Sequence, residues 1–208
     1  MLDPALHRPD GGGLRRISLA DEQLLVQLEG DPVYGETVKR FVALRLLDWG
    51  MRKKDACYLT RVSEYFIDNT GAPLGRHRGA AAGPWTLCRH REARREAAMF
   101  LHEWQVARQP CVERPSAVAL GAAYCRYYCW DWRDARRDRF DPSAALAIIR
   151  NVASGQLLLR RCLSCHRLSL QPHKPDGVAR GGASCSFCNC AHTTPVALSS
   201  GGLIPEPS

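Results

Sequence analysis

Nowhere in this 208-residue chain do about 18 apolar residues run together, so the sequence holds no stretch able to cross a bilayer as a helix. Met1–Gly13 lacks the apolar centre of a secretory signal, and the expected location is therefore the cytoplasm. Also missing are an HExxH helix, a Gly-rich phosphate cradle and a Ser/His/Asp order of the hydrolase kind, so an enzyme is not expected. Acids are the scarcer charge. Lys and Arg number 29 against 21 Asp and Glu, a net +8 that suits a polyanionic partner and equally suits an ordinary basic protein. At this length one core with a small appended module is the expected arrangement.

Turn residues and absent periodicity make residues 1–17, with Pro4, Pro9 and Gly11–Gly13, a flexible leader. A helical domain follows over residues 18–155. Leu19, Leu24, Leu25 and Leu28 suit a short helix capped by Ser18 and stopped at Gly30, Asp31 and Pro32. Val38, Phe41, Val42, Leu44, Leu46 and Leu47 predict a longer helix ending at Gly50. Tyr58, Leu59, Val62, Tyr65 and Phe66 form one further helical stripe, closed by Asn69, Gly71 and Pro73. These two helices across a short turn resemble a helix-turn-helix pair, although plain packing of two amphipathic helices reads the same way.

Gly71–Pro84 reads as an exposed loop carrying Arg76, His77 and Arg78. From Arg89 to Arg108, Ala97, Phe100, Leu101, Trp104 and Val106 supply an apolar face beside Arg91, Arg94 and Arg95. Ser116 caps a helix running through Tyr124, Tyr127, Tyr128 and Trp130. Asp141-Pro142-Ser143 opens the last helix, with Ala145, Leu146, Ile148, Ile149 and Val152 inward and Gly155 closing it. The fold class is thus mainly α: a helical body, a small cysteine module over residues 156–192, and a flexible tail over 193–208.

That module carries the most specific signal. Cys162-Leu-Ser-Cys165 is followed by Cys185-Ser-Phe-Cys188, two C-x-x-C pairs at a separation typical of one zinc ion held by four thiolates. Ten cysteines in a secreted protein would suggest disulfides, but a reducing compartment favours metal. A redox dithiol normally opens a helix in a strand-helix-strand unit, which this context lacks. A catalytic zinc leaves one position for water, whereas four cysteines close the shell, so one structural Zn2+ is the reading. Cys190, His166, His173 and His192 lie close enough in sequence to replace a ligand. The glycines and prolines between the pairs build little core, so metal is expected to supply most of the module's folding free energy. Cys57, Cys88, Cys111, Cys125 and Cys129 are dispersed and read as small buried apolar side chains.

The order of these features resembles the FlhC family of flagellar transcription regulators. The likeness runs through Ala97-Ala98-Met99-Phe100, Trp104-Gln105, Ala122-Ala123-Tyr124, Ala144 to Ser154, Gly155-Gln156-Leu157 and the paired cysteines, roughly the C-terminal half. Upstream, Gly50-Met51-Arg52 and Tyr58 to Phe66 match more loosely. The resemblance implies a transcription activator that joins an FlhD-like protein in a heterohexamer and binds double-stranded promoter DNA of flagellar operons. It also implies that Cys162, Cys165, Cys185 and Cys188 hold zinc. Arg76, Arg78, Arg91, Arg94, Arg95, Arg160 and Arg161 are the candidates for phosphate contact. Arg133, Arg136, Arg137 and Arg139 rank lower because Asp131, Asp134 and Asp138 interleave with them. The nearly uncharged tail after Cys190 favours an alternative, an FlhC-like interaction subunit without specific DNA binding. A zinc-containing RNA-binding protein is the other alternative.

Overall fold

The computed structural model describes residues 19–70, 83–107, 109–128, 140–173, 184–191 and 193–195. Within them the protein is mainly helical, with eight helices and one three-stranded sheet. The leader at 1–17, the Arg76–Arg78 loop, Cys129, Trp130 and His192 lie outside the described residues. None of the described helices is long and apolar enough to cross a membrane.

The first two helices, α1 (Leu19–Glu29) and α2 (Gly35–Asp48), pack as an antiparallel hairpin because only five residues join them. Asp31 turns the chain by accepting the N–H groups of Val33 and Tyr34 at 2.7 and 3.0 Å. A side chain at Gly35 would put its Cβ 2.7 Å from the Glu29 carbonyl oxygen, so this close approach requires glycine. Helix α2 ends as its sequence suggests. Gly50 takes φ 93°, and the N–H groups of Gly50 and Met51 reach back to the Leu47 and Leu46 carbonyls at 2.9 and 2.8 Å, a Schellman arrangement.

The single helix expected from Tyr58 to Phe66 is instead two, α3 (Lys53–Thr60) and α4 (Glu64–Asn69). Arg61 adopts the left-handed φ of 62°, and the Thr60 hydroxyl donates to the Ala56 carbonyl at 2.7 Å, closing the first helix. Ser63 then caps the second by accepting the Phe66 N–H at 3.2 Å. The apolar stripe spans both helices because Leu59, Val62 and Ile67 all face the core.

Four more helices complete the body: α5 (Pro84–Leu87), α6 (Arg91–Val106), α7 (Ala117–Tyr128) and α8 (Pro142–Ala153). Helix α7 is its centre, every residue from Ala117 to Tyr127 being buried. Its run of Ala and Gly lets α1, α2, α6 and α8 approach closely on different sides. Phe100, Trp104 and Tyr127 fill the space around it, with Tyr127 stacked on Phe140 at 4.7 Å between ring centres. The expected caps hold: Asp141 accepts the Ala144 N–H at 2.8 Å, and Ser116 accepts that of Ala119 at 3.1 Å. Val106, expected on the inner face of α6, is exposed.

The orientation of α1 departs from its leucine pattern. Leu24 is 55% exposed, whereas Glu22 is 1% exposed and meets the Arg126 guanidinium, which also bonds Glu103 at 3.1 Å. Glu29, at the other end of α1, accepts the Ser116 hydroxyl and the Ala117 N–H, the latter at 3.0 Å, and so caps α7. Two inward carboxylates therefore outweigh the leucine pattern in setting which face α1 buries, since a buried charge costs far more to leave unpaired than a leucine costs to expose.

Burial pushes the Glu22 carboxyl above its usual 4.5 against the opposing bond and charge of Arg126, and Glu103 adds repulsion. The native state thus holds the proton more tightly than the unfolded chain. That contribution to stability is complete below pH 4.5 and is lost as the pH rises through the raised value. Urea unfolding of Glu22→Gln is expected to lack this decline, so the variant gains on the native protein with rising pH. Parallel pH profiles would show that Glu22 holds no such proton.

After α8 the chain forms β1 (Leu157–Cys162) and β2 (Leu168–Pro172), with β3 (Thr193–Pro195) on the other side of β1, all antiparallel. Residues 193–195, expected at the start of a flexible tail, pair with Arg160–Cys162 because β1 otherwise presents a bare hydrogen-bonding edge. Leu157, Leu159 and Leu170 are buried in the same apolar cluster as the helices. The change at residue 156 is thus one of secondary structure, while the core runs on through it.

Candidate metal centre

The two cysteine pairs occupy turns of one design. In the first, the Cys162 N–H donates to the Arg167 carbonyl at 3.0 Å, the His166 N–H donates to the Cys162 carbonyl at 2.9 Å, and His166 takes φ 56°. In the second, the Cys185 N–H donates to the Cys190 carbonyl at 2.8 Å, the Asn189 N–H donates to the Cys185 carbonyl at 3.0 Å, and Asn189 takes φ 64°. Each turn also aims backbone N–H groups at its leading sulfur: Cys165 N–H at Cys162 Sγ, 3.5 Å, and Phe187 N–H at Cys185 Sγ, 3.4 Å. Such donors stabilise a thiolate and leave its remaining lone pairs pointing outward to a cation.

This correspondence settles the choice of ligands. Cys190 stands where Arg167 stands in the first turn and contributes its carbonyl; its sulfur instead contacts the Ser164 hydroxyl at 3.0 Å. His166 stands where Asn189 stands, at the left-handed position. Cys162, Cys165, Cys185 and Cys188 have their sulfurs within 4.8 Å of one another, close enough to hold a metal ion, and form the one such group among the described residues. Cys162 and Cys188 sulfurs lie 3.4 Å apart, and those of Cys165 and Cys185 3.5 Å apart, so ligands cross-pair between turns without forming disulfides.

Cys162 and Cys185 are fully buried, Cys165 half-buried and Cys188 exposed. The Cys165 N–H, with that of Ser164, lowers the Cys162 thiol to about 6. Burial, with the neighbouring sulfurs, pushes Cys165 up to about 12. The four thiols therefore do not ionise together by themselves. A divalent cation at their centre removes the mutual repulsion and the desolvation cost at once, which is why such a set prefers metal to four free thiols.

The second turn is fastened to the helical body by arginines. From α6, Arg91 donates through Nε to the Ser186 carbonyl at 2.9 Å and through a terminal nitrogen to the Phe187 carbonyl at 2.7 Å. Arg95 of α6 and Arg167 of the first turn set their guanidiniums 5.5 and 5.0 Å from the Phe187 ring centre. Arg91, expected at a phosphate, is thus committed to the cysteine turn through two of its donors, and Arg95 packs on an aromatic ring. Arg94 and Arg160 are half-buried with Nε out of solvent, and Arg161 is half-buried on β1. Arg76 and Arg78 lie outside the described residues. Phe187 and Arg167 had no prior signal beyond an aromatic residue set between two ligands and a base one position past a third.

Of the other cysteines, Cys88 and Cys125 are buried, and Cys57 and Cys111 half-buried, as small apolar side chains should be. Burial pushes both Cys88 and Cys111 up to about 11, so neither thiol is reactive. No protein-family model matches the chain, and no curated protein does.

Proposed function

We propose that this chain is a DNA-binding regulatory subunit of the FlhC kind, built around one structural Zn2+ and acting in the cytoplasm with an FlhD-like protein on flagellar promoters. The observation that carries the metal half is the cross-paired cluster of four cysteine sulfurs within 4.8 Å. A zinc–sulfur bond of about 2.3 Å implies tetrahedron edges of about 3.8 Å, within the spread of these sulfurs. Four thiolates suit this ion and leave it no position for substrate water, so it would brace the fold and carry no reaction. Cys162, Cys165, Cys185 and Cys188 would hold it.

Support for the nucleic-acid half is the net charge of +8 together with arginines gathered on α6 and β1 around the cysteine turns. In this reading Arg94, Arg160 and Arg161, with Arg76 and Arg78, contact phosphates, while Arg91 and Arg95 position the second turn. A metal-braced module presented on a helical body would then meet promoter DNA, and the partner would set the spacing of two copies.

The commitment of Arg91 to backbone carbonyls favours a second reading, an FlhC-like interaction subunit that does not read DNA. Gel retardation separates the two. The chain co-purified with the FlhD-like protein of its host is expected to retard a flagellar promoter fragment at moderate salt, and the chain alone only weakly. Affinity should fall by about 0.9 in log K per unit log salt for each phosphate contacted. Complex formation without promoter preference supports the interaction subunit, and preference for single-stranded RNA overturns both.

A further inference from the structure

The first helical hairpin carries charge and exposure unlike the rest of the chain. Between Leu19 and Asp48 stand six acids, Asp21, Glu22, Glu29, Asp31, Glu36 and Asp48, against three bases, Lys39, Arg40 and Arg45, a net −3 in a protein of +8. No base at all occurs from Leu19 to Val38. Of nine large apolar side chains exposed among the described residues, four lie in this hairpin: Leu24 at 55%, Val33 at 73%, Tyr34 at 59% and Phe41 at 61%.

Why these side chains face outward follows from how α1 is held. Glu22 and Glu29 are its inward anchors, on Arg126 and on the start of α7, and they leave the opposite side of the helix to Leu24. On α2, Ala43, Leu46 and Leu47 face the core while Phe41 lies outside with Arg45 at 5.7 Å from its ring centre. The exposed bases of α2 are answered locally, Arg40 by Glu36 at 3.0 Å and Arg45 by Asp48 at 3.8 Å. The charge left over for a partner to meet is negative.

We propose that the outer face of the α1–α2 hairpin, centred on Leu24, Val33, Tyr34 and Phe41, is the docking surface for a protein partner that presents an apolar helix face flanked by lysine and arginine. Exposed aromatic and aliphatic side chains in one region are what protein interfaces concentrate, and a rim of one sign selects a partner of the other. The proposal rests on the reading above that the chain works in a hetero-oligomer, and it assigns that contact to a surface well apart in sequence from the cysteine turns.

The probe is the FlhD-like protein of the same host, co-expressed with the full chain. Leu24→Asp and Phe41→Asp each alter an exposed side chain, so the metal content and thermal melt of the chain should be unchanged. Each is expected to weaken the complex at least tenfold. Gln27→Lys, a new positive charge on the exposed side of α1, should slow association at low salt and leave it nearly unaffected at high salt. A complex as tight with both aspartate variants as with the native chain overturns this docking surface and leaves the proposed function standing. No complex with the native chain overturns both. Self-association abolished by Phe41→Asp would make the occupant a second copy, and overturns the basic partner.

Discussion

Cys165→Ser is expected to lower bound zinc from one ion per chain towards none, and to open the segment from Cys162 to Cys190 to protease. Its sulfur lies 3.5 Å from that of Cys185, so the change removes one bridge between the two turns. Structural zinc sites of this type contribute on the order of 10–16 kcal/mol of apparent binding free energy, and a serine hydroxyl is a poor thiolate substitute for this ion. Apart from the metal, the second turn is held to the body by the Arg91 bonds and the Phe187 contacts, which lie largely at the surface. The helices should outlast the loss, because the core around α7 contains no ligand cysteine. Far-ultraviolet dichroism is therefore expected to change little while elemental analysis and proteolysis change greatly. Cys190→Ser is the matched control: its sulfur stands outside the cluster, and the variant should keep its full metal content. Metal retained by Cys165→Ser, or lost by Cys190→Ser, would refute the ligand set.

Arg126→Ala should destabilise the helical body by about 3–5 kcal/mol, the usual cost of leaving buried charges without their partner. Arg126 is 8% exposed, and its guanidinium serves Glu22 of α1 together with the side chain and backbone carbonyl of Glu103 on α6. Removing it strands two carboxylates among apolar side chains. Against a total stability of about 5–15 kcal/mol for a domain of this kind, the effect should be plain as a shift in urea midpoint. Replacing Glu22, Glu103 and Arg126 together by apolar side chains of similar volume is expected to recover most of the loss, since the desolvation penalty disappears with the charges. If the single variant melts like the native protein, the triad does not hold α1 in place.

The parts that could be read along the chain are those decided by neighbours a few residues away. A Ser or Asp ahead of an apolar run marks the starts of α7 and α8, and Gly50 marks the end of α2, because each acts on backbone groups within one turn. Two C-x-x-C pairs likewise announce their ion, since a thiolate turn is a local structure. The left-handed turn at Arg61 was less legible, being hidden inside an apolar stripe whose spacing continues across two helices.

Sequence by itself determined the helical class, most of the helix ends and the four cysteines that come together, all of them consequences of short-range geometry and residue chemistry. Only the tertiary structure decided that α1 turns its carboxylates inward, that Cys190 stays out of the cluster, that Arg91 grips the second turn, and that three hairpin leucines join the helical core. Those outcomes depend on partners 87 to 104 residues away for the α1 carboxylates, and 95 to 96 away for Arg91. The cost of burying an unpaired charge or carbonyl is settled by whatever the fold brings opposite it, which no local pattern records.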